Sequence, residues 1–326
     1  MTQTVLQRPG DPNIYLFVMG EWFGYNPQSE PLGSGAMGIV YLGFRCKNGE
    51  RIAVKRVKDE YANVHVIRER ARQEASLAFR HPNLVEMIGY CEYAPNNGPI
   101  FILSKYVHGM TLDEYVKQNL SDIPDRMEKI CNVICSVLDA LDYIHSRGVI
   151  HRDIKPSNIM VEEGSNIRLM DLGISRMNVG NSYSSYGFIG TPEYSAPEQI
   201  LRIENKQAQI TASTDFYELG ITMYELLAGN NPFDGKTEAE TLGKQMKSKL
   251  PENEQITGRL MNVIWKATEK NQANRYQTAK EFKLAIKEAL KAPPSKLSVV
   301  MAWGEKNAVL IGCMIGVIVA LLLLLI

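Results

Sequence analysis

The chain has 326 residues, long enough for one large two-lobed domain or two modest ones with a sizeable core. Lys plus Arg and Asp plus Glu number 36 each, so the charge balance gives no support to nucleic acid as a partner or to a disordered acidic tail. The five cysteines, Cys46, Cys91, Cys131, Cys135 and Cys313, contain no CxxC pair; this argues against a zinc site or disulfide framework and reads as buried thiols in a reducing compartment.

Residues 1–24 read as an N-terminal leader. Their apolar run Ile14–Met19 is short, with one upstream cation at Arg8 and an acid at Asp11, which is no secretory signal. Next comes Leu32-Gly33-Ser34-Gly35-Ala36-Met37-Gly38-Ile39-Val40, a GxGxxGxV pattern. A dinucleotide fingerprint would lead into a helix, but here the β-branched and aromatic run Ile39–Phe44 predicts a strand. A glycine loop between strands can fold over a triphosphate and offer it backbone N–H groups. The Lys47-Asn48-Gly49-Glu50 turn then leads into Arg51–Val57, a second strand carrying Ile52-Ala53-Val54-Lys55.

Tyr61–Phe79 has helical spacing and stops before His81-Pro82-Asn83, where proline disfavours helix in the preceding residue. Ile100–Tyr106 is another strand, and Thr111 with Glu114 three residues on forms a capping box that opens a helix. From Ile130 to Ile144 apolar residues recur every three or four positions and Gly148 follows the run, so a helix with one buried face is expected. Phe216–Leu227 and Leu260–Ala267 repeat that pattern. A strand-rich part thus precedes a helical part, an α+β organisation.

Ala292-Pro293-Pro294-Ser295 ends the last helix and starts a linker over 292–307. Ala308–Ile326 is uncharged over 19 residues, enough helix at ~1.5 Å each to span bilayer hydrocarbon. Lys291, Lys296 and Lys306 precede it, so the positive-inside rule keeps the N-terminal part in the cytoplasm and only the terminal carboxylate crosses. The expectation is a single-pass, C-terminally anchored protein contacting membrane lipid through 308–326.

Three further motifs follow in fixed order: Ile150-His151-Arg152-Asp153-Ile154-Lys155-Pro156-Ser157-Asn158, Met170-Asp171-Leu172-Gly173 and Ala196-Pro197-Glu198. With the glycine loop and Lys55, these resemble the eukaryotic-type serine/threonine protein kinase family over roughly Tyr25–Ala289. The resemblance implies a two-lobed kinase fold, with an N-lobe over 25–107 and a C-lobe over 108–291, and transfer of the γ-phosphate of Mg-ATP to Ser/Thr hydroxyls of protein substrates.

The resemblance also implies a role for each motif residue. Asp153 orients the acceptor hydroxyl, and Lys155 neutralises the transferring phosphoryl group and marks Ser/Thr specificity. Asn158 and Asp171 hold Mg²⁺ through oxygen. Gly33, Gly35 and Gly38 cover the phosphates, which Lys55 contacts. Lys55 pairs with a helix glutamate, best matched by Glu74; Glu69 is the alternative, because Glu74 stands closer to His81 than is usual. Val40, Ala53 and Met160 sandwich adenine, Lys105 to Val107 form the hinge, and Ser104 is a small gatekeeper before an open rear pocket.

Leu172 departs from the usual phenylalanine but keeps an apolar plug. Arg152 and Arg176 face a phosphate on the activation segment, for which Ser182, Ser184 and Ser185 are candidates, and a dimer is the route to trans-autophosphorylation. Thr191 bridges Asp153 and Lys155, Glu198 pairs with Arg275, and Asp215 anchors the catalytic loop. Two other readings compete. A membrane-tethered pseudokinase scaffold would usually lack Lys55, Asp153 or Asp171. A small-molecule phosphotransferase of the same fold would lack the Gly190-Thr191-Pro192 and Ala196-Pro197-Glu198 segments.

Overall fold

The computed structural model describes residues 4–35, 38–59, 68, 72, 79–93, 98–121, 123–163, 166–171, 183–184, 187–188, 191–202 and 208–291. Residues 1–289 form one compact unit and 290–326 a second, of which Leu290 and Lys291 are described. Among the described residues no helix is long and apolar enough to cross a membrane, and the 308–326 run lies outside them.

The first half is an eight-stranded antiparallel sheet. Its strands are β1 (Val5–Gln7), β2 (Ile14–Val18), β3 (Glu21–Tyr25), β4 (Gly33–Ser34), β5 (Gly38–Arg45), β6 (Arg51–Val57), β7 (Met87–Glu92) and β8 (Ile100–Lys105). The order is β1-β2-β3-β5-β6-β8-β7, with β4 also on β5. The β5–β6 hairpin and β8 stand where turn chemistry and β-branched runs put them.

Residues 5–25 are no leader outside the sheet: they supply three of its strands. Their inward residues Val5, Leu16, Val18, Phe23 and Tyr25 pack with Tyr41, Ile52, Val54, Cys91, Phe101 and Leu103 in one apolar cluster. The sheet also curls. Thr4 Oγ1 donates to the Glu92 carbonyl at 2.7 Å, joining the segment before β1 to the far edge strand. Gly89 has a φ of +151°, and a Cβ there would stand 2.7 Å from Val18 Cγ1, so only glycine lets β2 and β7 approach.

A small antiparallel sheet, β9 (Gly109–Thr111), β10 (Ile159–Glu162) and β11 (Ile167–Leu169), leads into the helical half. Its helices are α1 (Leu112–Asn119), α2 (Arg126–His145), α3 (Pro197–Leu201), α4 (Ala212–Ala228), α5 (Glu238–Lys247), α6 (Gly258–Ala267) and α7 (Ala279–Leu290). The expected capping box opens α1, with the Thr111 N–H donating to Glu114 Oε2 at 3.0 Å. Helix α4 is buried on every side from Ser213 to Tyr224, as suits a helix at the centre of a lobe.

Cys91, Cys131 and Cys135 are buried, whereas Cys46 is exposed, contrary to the expectation of buried thiols throughout. Burial pushes the Cys91 and Cys131 thiols up to about 12, so both stay protonated. Cys313 lies outside the described residues.

Candidate active site

The catalytic loop is held from beneath by α4. The buried Asp215 carboxylate accepts from the His151 and Arg152 N–H groups at 2.8 and 2.7 Å and meets His145 Nε2 at 2.7 Å. Burial opposes its ionisation, but the hydrogen bond and charge of His145, with His151 and the Arg152 N–H, outweigh burial and hold its carboxyl below the usual range. Glu218, one turn on, accepts from the Ile154 N–H at 2.8 Å. Burial lowers the fully enclosed His151 imidazole, which meets the Met170 carbonyl at 2.8 Å and so ties the loop to the segment before Asp171.

Two non-glycine residues here have positive φ, Arg152 at 68° and Asp171 at 45°. Such backbone persists only where the surroundings hold it, and it concentrates at functional sites. Asp215 holds the first.

On this frame the predicted residues converge. Asn158 Nδ2 donates to the Asp153 carbonyl at 2.8 Å and to Asp153 Oδ2 at 3.0 Å, which fixes the amide and leaves its oxygen as a hard donor. Thr191 Oγ1 donates to Asp153 Oδ1 at 3.0 Å and accepts from Lys155 Nζ at 2.8 Å; Lys155 Nζ stands 3.5 Å from Asp153 Oδ2. Across from them Lys55 Nζ meets Asp171 Oδ1 at 3.1 Å. Glu74 and its alternative Glu69 lie outside the described residues, as do Leu172, Arg176, Ser182 and Ser185. Ser184 is described only as backbone of a short hairpin, Tyr183–Ser184 against Gly187–Phe188.

The nucleotide side is built from strand register. Val40 pairs with Lys55, and Ala53 pairs with the half-buried Ser104. Met160 stands in β10 opposite Thr111. A Cβ on Gly38 would lie 2.7 Å from the Arg56 carbonyl, so its smallness is set by packing against β6. Gly33 and Gly35 differ: a Cβ on either would meet nothing nearer than 4.0 Å, so packing does not demand glycine there and a phosphate has room to approach the backbone.

In the hinge, the Lys105 N–H is committed to the Glu86 carbonyl at 2.9 Å. Neither Tyr106 nor Val107 makes a backbone hydrogen bond among the described residues, so the backbone polar groups there are open to a base edge. The residues present therefore fit Mg-ATP: hard oxygens at Asn158 and Asp171, a cation at Lys55 and an open glycine turn.

Farther out, Glu198 and Arg275, 4% and 2% exposed, pair in parallel at 2.8 and 2.9 Å. Thr214 Oγ1 also donates to Glu198 at 2.8 Å. Glu218 and His145 were not singled out in the sequence. Glu218 had a readable signal, a carboxylate three residues after Asp215 on a helix otherwise apolar around it.

Catalytic loop, paired lysine and glycine hairpin together have the arrangement of the protein kinase fold. The protein kinase domain family matches residues 27–296, and the chain belongs to that family. It is 31% identical over 268 residues to the serine/threonine-protein kinase PrkC of Bacillus subtilis strain 168, covering 80% of this chain and 40% of that protein. It is 33% identical over 264 residues to the serine/threonine-protein kinase PknB of Mycolicibacterium smegmatis, covering 78% of this chain and 41% of that protein. The chain thus spans about 40% of the length of these relatives. Among solved structures, a point-mutated PknI kinase domain from Mycobacterium tuberculosis superposes with a TM-score of 0.60 at 25% identity, over 82% of this chain and 96% of that one.

Proposed function

We propose that this chain is a serine/threonine protein kinase that uses Mg-ATP. The observation that carries the reading is the triangle of Asp153, Thr191 and Lys155, which places a carboxylate and an ammonium around one hydroxyl. Bound Mg-ATP would supply the phosphoryl group and the metal charge that offsets its negative oxygens. Asn158 and Asp171 would hold the metal, Lys55 the phosphates, and Val107 the base.

The chain's own residues do the positioning. Asp153, oriented by Asn158 and Thr191, accepts a hydrogen bond from the acceptor hydroxyl and takes its proton as transfer completes. Lys155 beside it stabilises negative charge near the acceptor oxygen. The same triangle disfavours the pseudokinase and small-molecule readings, because Thr191 belongs to the segment against which a protein acceptor would lie. The names of the relatives point the same way.

Incubated with Mg-ATP, the full chain should phosphorylate itself and a generic protein on Ser or Thr, and Asp153→Asn should not. Wild type that binds Mg-ATP yet transfers nothing would favour the scaffold reading. Transfer between two copies, on the stretch holding Ser182, Ser184 and Ser185, is the proposed self-modification.

The uncharged run 308–326 supports a membrane anchor with the kinase domain on the cytoplasmic side. Alkaline carbonate extraction of cell membranes should leave the full chain in the pellet and release a chain lacking 308–326. Recovery of the full chain in the supernatant would sink the anchor.

A further inference from the structure

Tyr217 of α4 and Gln245 of α5 are polar side chains at 0% exposure. A buried phenol and a buried amide must each find partners within the protein. Tyr217 Oη donates to Gln245 Oε1 at 2.6 Å and accepts from Lys270 Nζ at 2.7 Å. With its oxygen thus occupied, the Gln245 amide presents its nitrogen to the Glu193 carbonyl at 2.5 Å. Asn231 Nδ2 donates to the same carbonyl at 2.9 Å, so both of its lone pairs are used.

Glu193 stands two residues after Thr191, the residue that bonds Asp153. Its neighbour Tyr194 is tied through its phenol to Glu225 Oε2 at 2.6 Å. Glu193 and Tyr194 are therefore gripped by groups outside the catalytic loop, while Gln199 ties the Ala196 N–H to the Arg152 carbonyl of that loop at the other end of the segment. None of the clamping groups hydrogen-bonds Lys55, Asn158 or Asp171 among the described contacts.

We propose that Tyr217 and Gln245 are positioning residues for the protein acceptor, setting the backbone of Thr191–Ala196 through a buried relay that begins at Lys270. The proposal rests on the kinase reading above and adds to it a route from the lobe interior to the acceptor. Nucleotide handling should be indifferent to the relay; acceptor binding should not.

Lys270 also gives the relay a proton dependence. Burial, reinforced by the Arg275 guanidinium, pushes its ammonium down to about 7, against a partial upward pull from Glu269. Arg275 lies 4.8 Å over the Tyr217 ring and is itself paired with Glu198, and the Phe233 ring stands 4.6 Å from Lys270 Nζ. A charged Lys270 polarises the Tyr217 hydroxyl and strengthens its bond to Gln245. The grip on Glu193 should tighten as pH falls through about 7.

The test uses the full chain with myelin basic protein as acceptor, comparing wild type with Tyr217→Phe, Gln245→Leu and Lys270→Met. Tyr217→Phe keeps the ring and its packing, so it guards against a variant that fails to fold. Tyr217→Phe and Gln245→Leu should raise the acceptor KM about fivefold, the weight of a buried hydrogen bond, and leave the ATP KM unchanged. Amide exchange over Thr191–Ala196 should quicken in both while exchange in α2 stays the same.

Between about pH 6 and about pH 8 the wild-type acceptor KM should rise, and in Lys270→Met it should be flat. An equal slope in both removes Lys270 from the relay. Active variants with unchanged acceptor KM and unchanged exchange overturn the proposal alone, as does a parallel rise in both KM values. A wild type that transfers no phosphate overturns the kinase reading and the acceptor role with it.

Discussion

The Thr191 hydroxyl donates to the Asp153 carboxylate at 3.0 Å across 38 residues of chain, and the same oxygen accepts from Lys155. A segment distant in sequence thereby reports its position to the residue proposed to orient the acceptor. Thr191→Val keeps the shape and removes both bonds. Its kcat should fall on the order of 100-fold, the cost of losing alignment at a reacting centre, while the ATP KM stays within a factor of about two. Thr191→Ser should recover most of the rate. Steady-state kinetics checks both, and an unaltered kcat in Thr191→Val would show that the bridge is incidental.

Glu198 and Arg275 form an enclosed ion pair, and removing one partner strands the other. Arg275→Met should cost ~3–5 kcal/mol of stability, because the carboxylate keeps its desolvation without its charge partner. Urea unfolding measures the loss. Replacing both residues by apolar ones of like volume should cost much less than the single change.

Lys270 carries a pH signature in stability as well as in kinetics. Its ordinary value is 10.5 and the fold lowers it to about 7, so between those values the unfolded chain binds the extra proton. Stability from this group therefore rises with pH across that window, and the penalty is full below it. Lys270→Met should raise Tm, with a larger gain at acidic than at alkaline pH. A gain that does not depend on pH would mean the ammonium is not desolvated.

The first strands of the sheet are as much core as the later ones. A chain starting at Asn26 loses β1, β2 and β3 and with them Val5, Leu16, Val18, Phe23 and Tyr25. Burial of each such side chain is worth ~1.5–3 kcal/mol, so the shortened chain should lack a cooperative thermal transition. Circular dichroism on heating decides this, and an intact transition would make these strands an ornament.

Much of the candidate site was readable in the sequence because its motifs stand in the order that the kinase family requires. Lys55, Asp153, Lys155, Asn158 and Asp171 were legible only together, as motifs in a kinase's order, and the family resemblance also implied Thr191, Glu198 and Asp215. The hairpin of β5 and β6 was announced by Asn48-Gly49.

The β2–β3 hairpin was not. Its turn puts Met19 at φ 50° and Gly20 at φ 84°, a geometry usually signalled by asparagine or aspartate before the glycine. Methionine there carries no such signal. In β2 itself Leu16 and Val18 point inward, yet the outward Phe17 packs on Trp22 with ring centroids 5.1 Å apart, so both faces are apolar and the alternation is blurred. Gln245 escaped notice for another reason: a glutamine on a polar-looking helix gives no hint of burial until α4 is set against it.

The family likeness begins at residue 27, while the apolar cluster begins at Val5. The stretch this chain needs in order to fold therefore starts before the stretch matched to the family, and one cluster runs across the boundary. In a saturation scan scored by phosphotransfer, intolerance should peak at the shared motifs and again at positions 5, 16, 18, 23 and 25, where no motif lies. Variants at those positions would be misread as catalytic lesions by anyone scoring activity without abundance.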